Sequence, residues 1–251
     1  MTNLSEINII SLAVDEAWLS LVERCVRDAE AVGSNPVAST TYRSLRALCF
    51  QAFSFYFRRL IQRRITMDTI TVRNAVLEDA PRILEIYSYY VKHTAITFEY
   101  VVPTLKEFQI RMKNTMQKYP YLVIEQSGQV QGYAYAGSFV GRAAYDWSCE
   151  LSIYLDRNAR NCGLGRRIYD ALANRLKKMG ILNLYACIGY PQTEDEYLSK
   201  NSQQFHAHLG FQTVGLFHNC GYKFGRWYDM IWMEKIIGEH KADQLPVQFF
   251  R

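Results

Sequence analysis

Hydrophobic residues recur every three or four positions in two stretches of the first 66 residues, and this spacing predicts two amphipathic helices. The first covers residues 14–29 and ends before Gly33 and Pro36. The second covers residues 42–64, and all of its charged side chains are arginines. Three interpretations stay open for residues 1–66: a helical extension packed on the main domain or on a second subunit, an element that binds an anionic surface or a partner, or a segment upstream of a true start at Met67.

From residue 69 onward, helical spacing alternates with the period-two pattern of strands, which predicts a mixed α/β domain. The predicted elements are a strand near residue 70, helices over 78–91 and 104–118, a hairpin of 122–125 and 130–136, a strand over 148–155, a long helix from residue 164 that ends at Gly180, a strand over 184–188, a helix over 202–209, and strands over 211–217 and 227–233. They belong to one domain over residues 67–240, followed by a C-terminal tail over 241–251.

The amino-acid composition excludes several classes of protein. Of the 251 residues, 49% are hydrophobic and 21% are charged, which excludes a disordered chain. The net charge of +5 is too small for a dedicated nucleic-acid binder and favours a small anionic ligand. The six cysteines form neither a CxxC pair nor a cluster with histidines, so we expect free thiols and no metal site. No stretch reaches the ~20 apolar residues of a membrane span and no signal peptide begins the chain, so a cytoplasmic protein without integral membrane association is expected.

A glycine-containing turn precedes the long predicted helix. Residues 160–165 read Arg-Asn-Cys-Gly-Leu-Gly, and they connect a strand to the helix start, where free backbone N–H groups favour an anion. The glycine spacing matches neither a Walker loop nor a dinucleotide-binding turn. A plain tight turn is the alternative, but Arg160, Arg166 and Arg167 favour a bound phosphate.

The pattern Arg-x-x-Gly-x-Gly after a strand resembles the acetyl-CoA pyrophosphate loop of the GNAT N-acetyltransferase superfamily, and the sequence Leu-Gly-Phe at 209–211 resembles its late helix-to-strand junction. Residues 144–150 and 221–229 resemble phosphinothricin N-acetyltransferases and their relatives acting on methionine sulfone and sulfoximine. The likeness covers residues 70–236. It implies the GNAT fold, in which a mixed, mostly antiparallel twisted sheet is flanked by helices, with acetyl-CoA as co-substrate and a homodimer as the assembly.

Acetyl transfer to an amine needs a base, because an α-amine is mostly protonated at pH 7. Glu150 lies on a predicted strand between Cys149 and Leu151, where partial burial would raise its pKa, and the resemblance places the catalytic glutamate there. The alternative is a strand-face glutamate paired with an arginine. His206 matches a family histidine that relays protons or holds substrate; a structural role is its alternative, and His208 is the natural control. Cys149 is expected to be inert packing.

The resemblance also assigns binding residues. The cofactor-binding set is the strand backbone at Ile153, Tyr154 and Leu155, the turn residues Arg160, Asn161, Cys162, Gly163, Leu164, Gly165 and Arg166, and Asn201. Arg142 and Lys223 are matched to the anionic groups of the substrate, and Phe98 and Tyr145 are expected to line its pocket. The sequence departs from the family pattern at Phe224 and Tyr228, where the family carries histidine, and in an insertion at 193–200 before the helix that begins near Asn201.

The sequence thus predicts an acetyl-CoA-dependent N-acetyltransferase for a small amino-acid-like substrate, acting by direct transfer without a covalent acyl-enzyme. Two alternatives remain. One is an acetyl-CoA-binding sensor or scaffold that functions through residues 1–66. The other is an N-acetyltransferase for a different amine, such as a protein N-terminus, since the cations Arg142 and Lys223 disfavour polyamines.

Overall fold

The computed structural model describes residues 70–159 and 163–249. The extension predicted for residues 1–66 lies outside the described residues, as do Arg160, Asn161 and Cys162 of the glycine-containing turn.

Seven strands form one sheet in the order β1-β2-β3-β4-β5-β7-β6. The strands are β1 Ile70–Asn74, β2 Tyr121–Gln126, β3 Gln129–Ser138, β4 Ser148–Leu155, β5 Asn183–Tyr190, β6 Gln212–Lys223 and β7 Arg226–Ile236. Neighbouring strands are antiparallel at every described pairing except β4 with β5, which is parallel. The predicted mixed, mostly antiparallel sheet is therefore confirmed.

Four helices flank the sheet: α1 Ala80–His93, α2 Leu105–Met116, α3 Leu164–Met179 and α4 Asn201–His208. Local sequence explains where they begin and end. Pro81 lies in the first turn of α1, and the side chains of Thr104 and Glu107 form a capping box at the start of α2. The predicted cap at Gly180 ends α3 with φ of 93°, a left-handed conformation that glycine adopts without strain.

Two hydrophobic clusters lie on opposite faces of the sheet. One contains Cys149, Leu151 and the buried face of α3. The other contains α1, part of α2 and the stacked rings of Tyr121 and Tyr133. Because side chains alternate along a strand, the side chain of Glu150 points to the α1 and α2 face, away from Cys149 and Leu151.

The last two strands are longer than the periodicity predicted. They form a hairpin whose turn is Phe224 and Gly225, with φ of 53° and 76°. Strand β6 is the edge of the sheet and exposes most of its residues on both faces, so its sequence lacks a clean alternation of apolar and polar positions. The segment 221–229, which forms one motif in the sequence, therefore spans the end of β6, the turn and the start of β7.

Strands β4 and β5 pair over only three residues. Ser148, Cys149 and Glu150 are opposite Asn183, Leu184 and Tyr185, and beyond this point the two strands separate. Their separation opens a cleft at the centre of the sheet. Next to the paired end of the two strands, the Trp147 indole donates to the carbonyl of Leu245 in the C-terminal tail at 2.8 Å.

Candidate active site

The cleft between β4 and β5 is lined by both strands, by the loop after α1 and by α4. Its lining residues are Ile96, Leu151, Ser152, Ile153, Tyr154, Ala186, Cys187, Ile188, Gly189, Ser202 and His206. Two of the expected cofactor residues, Ile153 and Tyr154, and the expected catalytic residue His206 therefore meet here. Beyond Glu150, β4 has no hydrogen-bonded partner on its β5 side among the described strands.

Glu150 is the last β4 residue paired with β5, so it lies where the cleft begins. Its side chain is partly buried, and burial raises the pKa of this carboxyl above its ordinary value of 4.5. None of the described arginines or lysines forms an ion pair with Glu150, which removes the alternative of a strand-face salt bridge within that part of the chain. A carboxylate with a raised pKa and no cationic partner is suited to accept a proton near neutral pH.

His206 is buried, with both ring nitrogens in hydrogen bonds. Nδ1 lies 2.7 Å from the carbonyl oxygen of Ser202, and Nε2 lies 2.8 Å from the hydroxyl of Tyr169. A carbonyl can only accept, so Nδ1 carries the proton and Nε2 accepts from Tyr169. Burial lowers the pKa of His206, which favours this neutral form. The geometry therefore departs from the expected acid–base role, since neither nitrogen is open toward a substrate; His208 is exposed and points elsewhere.

The described part of the glycine-containing turn, Gly163 to Gly165, has features that suit an anion. Gly163 precedes α3 with φ of 73°, and a Cβ added there would meet open space. Among the described residues no side chain caps the first turn of α3, which leaves its backbone N–H groups available to a ligand within that part of the chain. Leu164 and Gly165 are buried, and a Cβ at Gly165 would lie 3.0 Å from the Phe205 ring.

Arg166, Asn201 and Leu155, which were also expected to bind the cofactor, are not free in the cleft as the sequence predicted. The guanidinium of Arg166 lies 3.4 Å from the carbonyl of His208, and Asn201 is exposed at the first position of α4. Ser202, one residue later, lines the cleft. The carbonyl of Leu155 accepts from the hydroxyl of Tyr90 at 2.5 Å, and so one of the backbone groups expected to align the cofactor already has a protein partner.

Lys223 and Arg142, the two cations expected to bind the substrate, differ in their exposure to solvent. Lys223 is only 2% exposed, and its ammonium donates to the carbonyls of Thr94 and Thr97 at 2.9 and 2.7 Å. Lys223 thus fastens the loop after α1 to the β6–β7 hairpin, and in this conformation no ligand reaches its charge. Arg142 is exposed before the short 3-10 turn Ala143–Tyr145, and its guanidinium has no hydrogen-bond or ion-pair partner in the part of the chain that the structure describes.

Phe98 and Tyr145, the two aromatic residues expected to line the substrate pocket, lie in different surroundings. Phe98 packs under the hairpin, because a Cβ at Gly221 would lie 2.5 Å from its ring, and its ring also faces Gly189 of the cleft. Tyr145 is 42% exposed and contacts the ring of Phe139. Phe98 therefore belongs to the wall behind the cleft, whereas Tyr145 lies on the surface of the 3-10 turn.

The insertion at 193–200 and the two departures from the family pattern contact one another. The Asp195 carboxylate accepts from the hydroxyl of Tyr228 at 2.8 Å and pairs with Arg226 at 2.9 Å. Arg226 also binds Glu196 with both terminal nitrogens. The Tyr197 ring stacks on Phe224 at 4.3 Å. We call these contacts between residues 195–197 and 224–228 the insertion clamp.

Sequence reasoning missed several residues of this site. Tyr169, Ser202 and Cys187 carry no local signal, because Tyr169 falls on the buried stripe of α3 and Cys187 on an ordinary strand. Burial raises the pKa of the Cys187 thiol to about 12, and it also raises that of Cys149, so neither is a reactive thiolate at neutral pH. The described residues contain no His, Cys, Asp and Glu group suited to a metal ion, and no helix among them is long and apolar enough to span a bilayer.

The sequence profile of the acetyltransferase (GNAT) domain matches residues 72–232. The chain belongs to the GNAT acetyltransferase family. The resemblance seen in the sequence is thereby confirmed, together with the expectation of an N-acetyltransferase.

This GNAT acetyltransferase is similar to enzymes named for phosphinothricin and for methionine sulfoximine and methionine sulfone. A phosphinothricin N-acetyltransferase from Streptomyces viridochromogenes is 30% identical over 161 residues, 64% of this chain and 84% of that protein. An L-methionine sulfoximine/L-methionine sulfone acetyltransferase from Salmonella typhimurium is 30% identical over 174 residues, 69% of this chain and 98% of that protein. The crystal structure of a phosphinothricin acetyltransferase from Sinorhizobium meliloti in complex with acetyl-CoA is 33% identical, covers 73% of this chain and 99% of its own, and has a TM-score of 0.65.

Proposed function

We propose that this GNAT enzyme acetylates the α-amine of a small amino acid of the phosphinothricin, methionine sulfone or methionine sulfoximine type, with Glu150 as the general base. The observation that carries the proposal is the position of Glu150: a carboxyl with a raised pKa and no cationic partner among the described residues, at the start of the β4–β5 cleft. The named activities of two relatives and the acetyl-CoA complex of a third support the substrate class and the co-substrate.

The residues of the cleft fit acetyl-CoA. The unpaired edge of β4 at Ile153 and Tyr154 offers backbone groups to an extended pantetheine arm, and the uncapped N–H groups after Gly163 suit its pyrophosphate. When bound, acetyl-CoA supplies a thioester acyl group, which passes to the amine nitrogen as the carbon–sulfur bond breaks and CoA leaves as a thiol. The residues of this chain bind both substrates, orient the amine toward the thioester and remove the proton of the amine.

Glu150 removes the proton before or during attack. An α-ammonium cannot act as a nucleophile, and a carboxylate whose pKa is raised is a better base than an ordinary glutamate. His206 positions the cleft wall in this proposal, because its nitrogens are held by Ser202 and Tyr169. Arg142, exposed and unpaired among the described residues, is the side chain we assign to an anionic or sulfonyl group of the substrate.

The experiment measures CoA release by the full 251-residue protein with acetyl-CoA and each of phosphinothricin, methionine sulfone, methionine sulfoximine and the common amino acids. We expect turnover with the first three. Glu150→Gln should lower kcat/KM about a hundredfold to ten-thousandfold, the usual contribution of a general base, with acetyl-CoA affinity unchanged. Glu239→Gln, an exposed glutamate of the C-terminal segment, is the matched control and should retain full activity.

Two results would contradict the proposal. Turnover by Glu150→Gln within a few-fold of wild type would remove Glu150 as the base. Binding of acetyl-CoA without turnover of any amine would favour a sensor or scaffold instead. The cytoplasmic location and the homodimer belong to the same proposal, and sedimentation of the purified full chain tests the homodimer.

A further inference from the structure

A substrate such as phosphinothricin carries two acidic groups, and the burial of Lys223 leaves one of them without its expected cation. The Lys223 ammonium is held by two backbone carbonyls and is 2% exposed. Arg142 can serve one acidic group. A second cation must therefore come from another element that borders the same face of β4.

Arg111 of α2 is such a cation. Its guanidinium forms an ion pair with the Glu99 carboxylate at 2.5 Å, with the side chains 53% and 34% exposed, respectively. Burial lowers the pKa of Arg111, but the Glu99 contact more than offsets this, so the pKa lies above its ordinary value and the charge is permanent. The pair is open to solvent, and a second carboxylate can reach Arg111 without breaking the core.

The loop that carries Glu99 is a wall of the cleft. Ile96 lines the cleft, and Phe98 packs between Gly189 and Gly221. The loop is fixed at two further points: the hydroxyls of Tyr87 and Thr97 lie 3.0 Å apart, and Lys223 binds the Thr97 carbonyl. Glu99 therefore has a defined place at the edge of this wall.

Tyr135 connects this ion pair with Glu150. Tyr135 is opposite Ser152 in the sheet, so its side chain shares a face with those of Ser152 and Glu150. Burial raises the pKa of the Tyr135 phenol, the charges of Glu150 and Glu99 raise it further, and the charge of Arg111 opposes them. The proposed base therefore shares the α1 and α2 face of the sheet with Tyr135, and the charges of Glu150, Glu99 and Arg111 all act on this phenol.

We propose that Arg111 binds the carboxylate of the amino-acid acceptor, and that Glu99 occupies Arg111 until the acceptor replaces it. This inference rests on the proposed function and names a residue that determines its specificity. The planar guanidinium suits the exchange, because it binds one carboxylate with two parallel N–H groups and can pass from Glu99 to the acceptor without losing its charge partner. The charge of Glu99 then still acts on Lys223, where burial lowers the pKa of the ammonium and Glu99 opposes that shift.

The two members of the pair should respond in opposite directions. Arg111→Gln should raise the KM for methionine sulfone by about 10–100-fold, the range of a charge-assisted hydrogen bond, with kcat changed less. Glu99→Gln removes the competing carboxylate and should lower that KM several-fold. An ion pair that only stabilises the fold would instead give two variants with parallel losses. Lys113→Gln, on another face of the same helix, is the control and should match wild type.

The substrate supplies the second half of the test. The same kinetics are measured with 3-(methylsulfonyl)propylamine, which is methionine sulfone without its carboxylate. Arg111→Gln should leave the KM for this amine unchanged within about twofold, because the group that Arg111 binds is missing. Equal losses with both acceptors, or no loss with methionine sulfone, would overturn the inference while wild-type turnover keeps the proposed function standing.

Calorimetry with the full chain distinguishes a failure of the Arg111 assignment from a failure of the proposed function. Methionine sulfone is titrated into wild type and Arg111→Gln, each saturated with CoA, so that binding is measured without turnover. Weaker binding to Arg111→Gln alone supports the inference. If the wild type neither binds nor acetylates any of the three proposed substrates, the proposed function fails and the assignment of Arg111 fails with it.

Discussion

The hydroxyl of Tyr169 and Nε2 of His206 lie 2.8 Å apart, and both side chains are buried. The pair joins α3, which begins at the glycine-containing turn, to α4, which lines the cleft. Because the other ring nitrogen donates to Ser202, the imidazole is fixed in one tautomer and one orientation. In the proposed mechanism His206 is therefore a positioning residue, which holds the cleft wall in place and leaves proton removal to Glu150.

Tyr169→Phe should therefore destabilise the fold more than it impairs chemistry. The change leaves the buried Nε2 of His206 without a donor, which costs about 1–3 kcal/mol. We expect the free energy of unfolding, measured in urea, to fall by that amount while kcat falls less than about tenfold. His206→Gln should keep the same acidic limb in its pH–rate profile as wild type. A stably folded His206→Gln that turns over at least about a hundredfold more slowly would return His206 to acid–base catalysis.

The pH dependence of kcat/KM should report Glu150. Its pKa is raised by burial above 4.5, and only the ionised form accepts a proton, so activity should rise with pH through that raised value. The acidic limb should then lie at higher pH than an exposed glutamate would give. In Glu150→Gln the limb should disappear from the residual activity, and a limb that persists unchanged would belong to another group.

Lys223→Met should loosen the cleft wall without changing discrimination between acceptors. The substitution keeps the volume but leaves the carbonyls of Thr94 and Thr97 without their donor, so unfolding in urea should become easier by about 1–3 kcal/mol. The KM values for methionine sulfone and its decarboxylated amine should rise by the same factor. A rise confined to methionine sulfone would show that Lys223 contacts the acidic group after all. Lys106→Met, exposed on α2, is the control.

The insertion clamp should stabilise the protein in a pH-dependent way. Burial opposes ionisation of Asp195, but its hydrogen bonds with Arg226 and Tyr228 hold its pKa below the ordinary 3.8. A carboxyl whose folded pKa is lowered stabilises the fold above its unfolded pKa, and this contribution is lost as the pH falls through the folded value. Asp195→Asn should thus be less stable than wild type by about 1–2 kcal/mol at pH 7, a difference that shrinks below about pH 4.

Tyr228→Phe separates the hydrogen bond from the charge in the clamp. It removes the donor to Asp195 but keeps the ring and Arg226, so it should cost about 1 kcal/mol at pH 7. Thermal unfolding at a series of pH values measures both variants. A stability difference for Asp195→Asn that does not change with pH would contradict the role assigned to the carboxylate.

Local sequence patterns predicted the elements that build the site better than the contacts within it. The predicted strand over 148–155 agrees with β4, and spacing alone predicted the buried stripe of α3 and its cap at Gly180. Lys223 could not be placed, because its partners Thr94 and Thr97 are more than 120 residues away in the sequence. Local hydrophobic patterns carry no information about contacts between residues so far apart in the sequence. A lysine in a polar motif is ordinarily a surface charge.

The clamp and the ends of the hairpin were missed for a related reason. The insertion looked like a longer loop, since Asp195 and Glu196 are polar and adjacent. Their partners Arg226 and Tyr228 belong to a different motif, and only the folded chain brings the two together. Partial burial of Glu150 was predicted from its apolar neighbours on the strand, whereas its assignment as the candidate base depended on the family resemblance.

The short parallel pairing of β4 with β5 divides the sheet into two antiparallel ribbons, one of four strands and one of three, joined by three residue pairs. Each ribbon has its own hydrogen-bond ladder, and the junction is the shortest strand pairing in the sheet. A ligand bound along that junction acts as a noncovalent crosslink between the ribbons. Its binding energy should therefore slow amide hydrogen exchange on both sides of the junction, far beyond the residues that it touches.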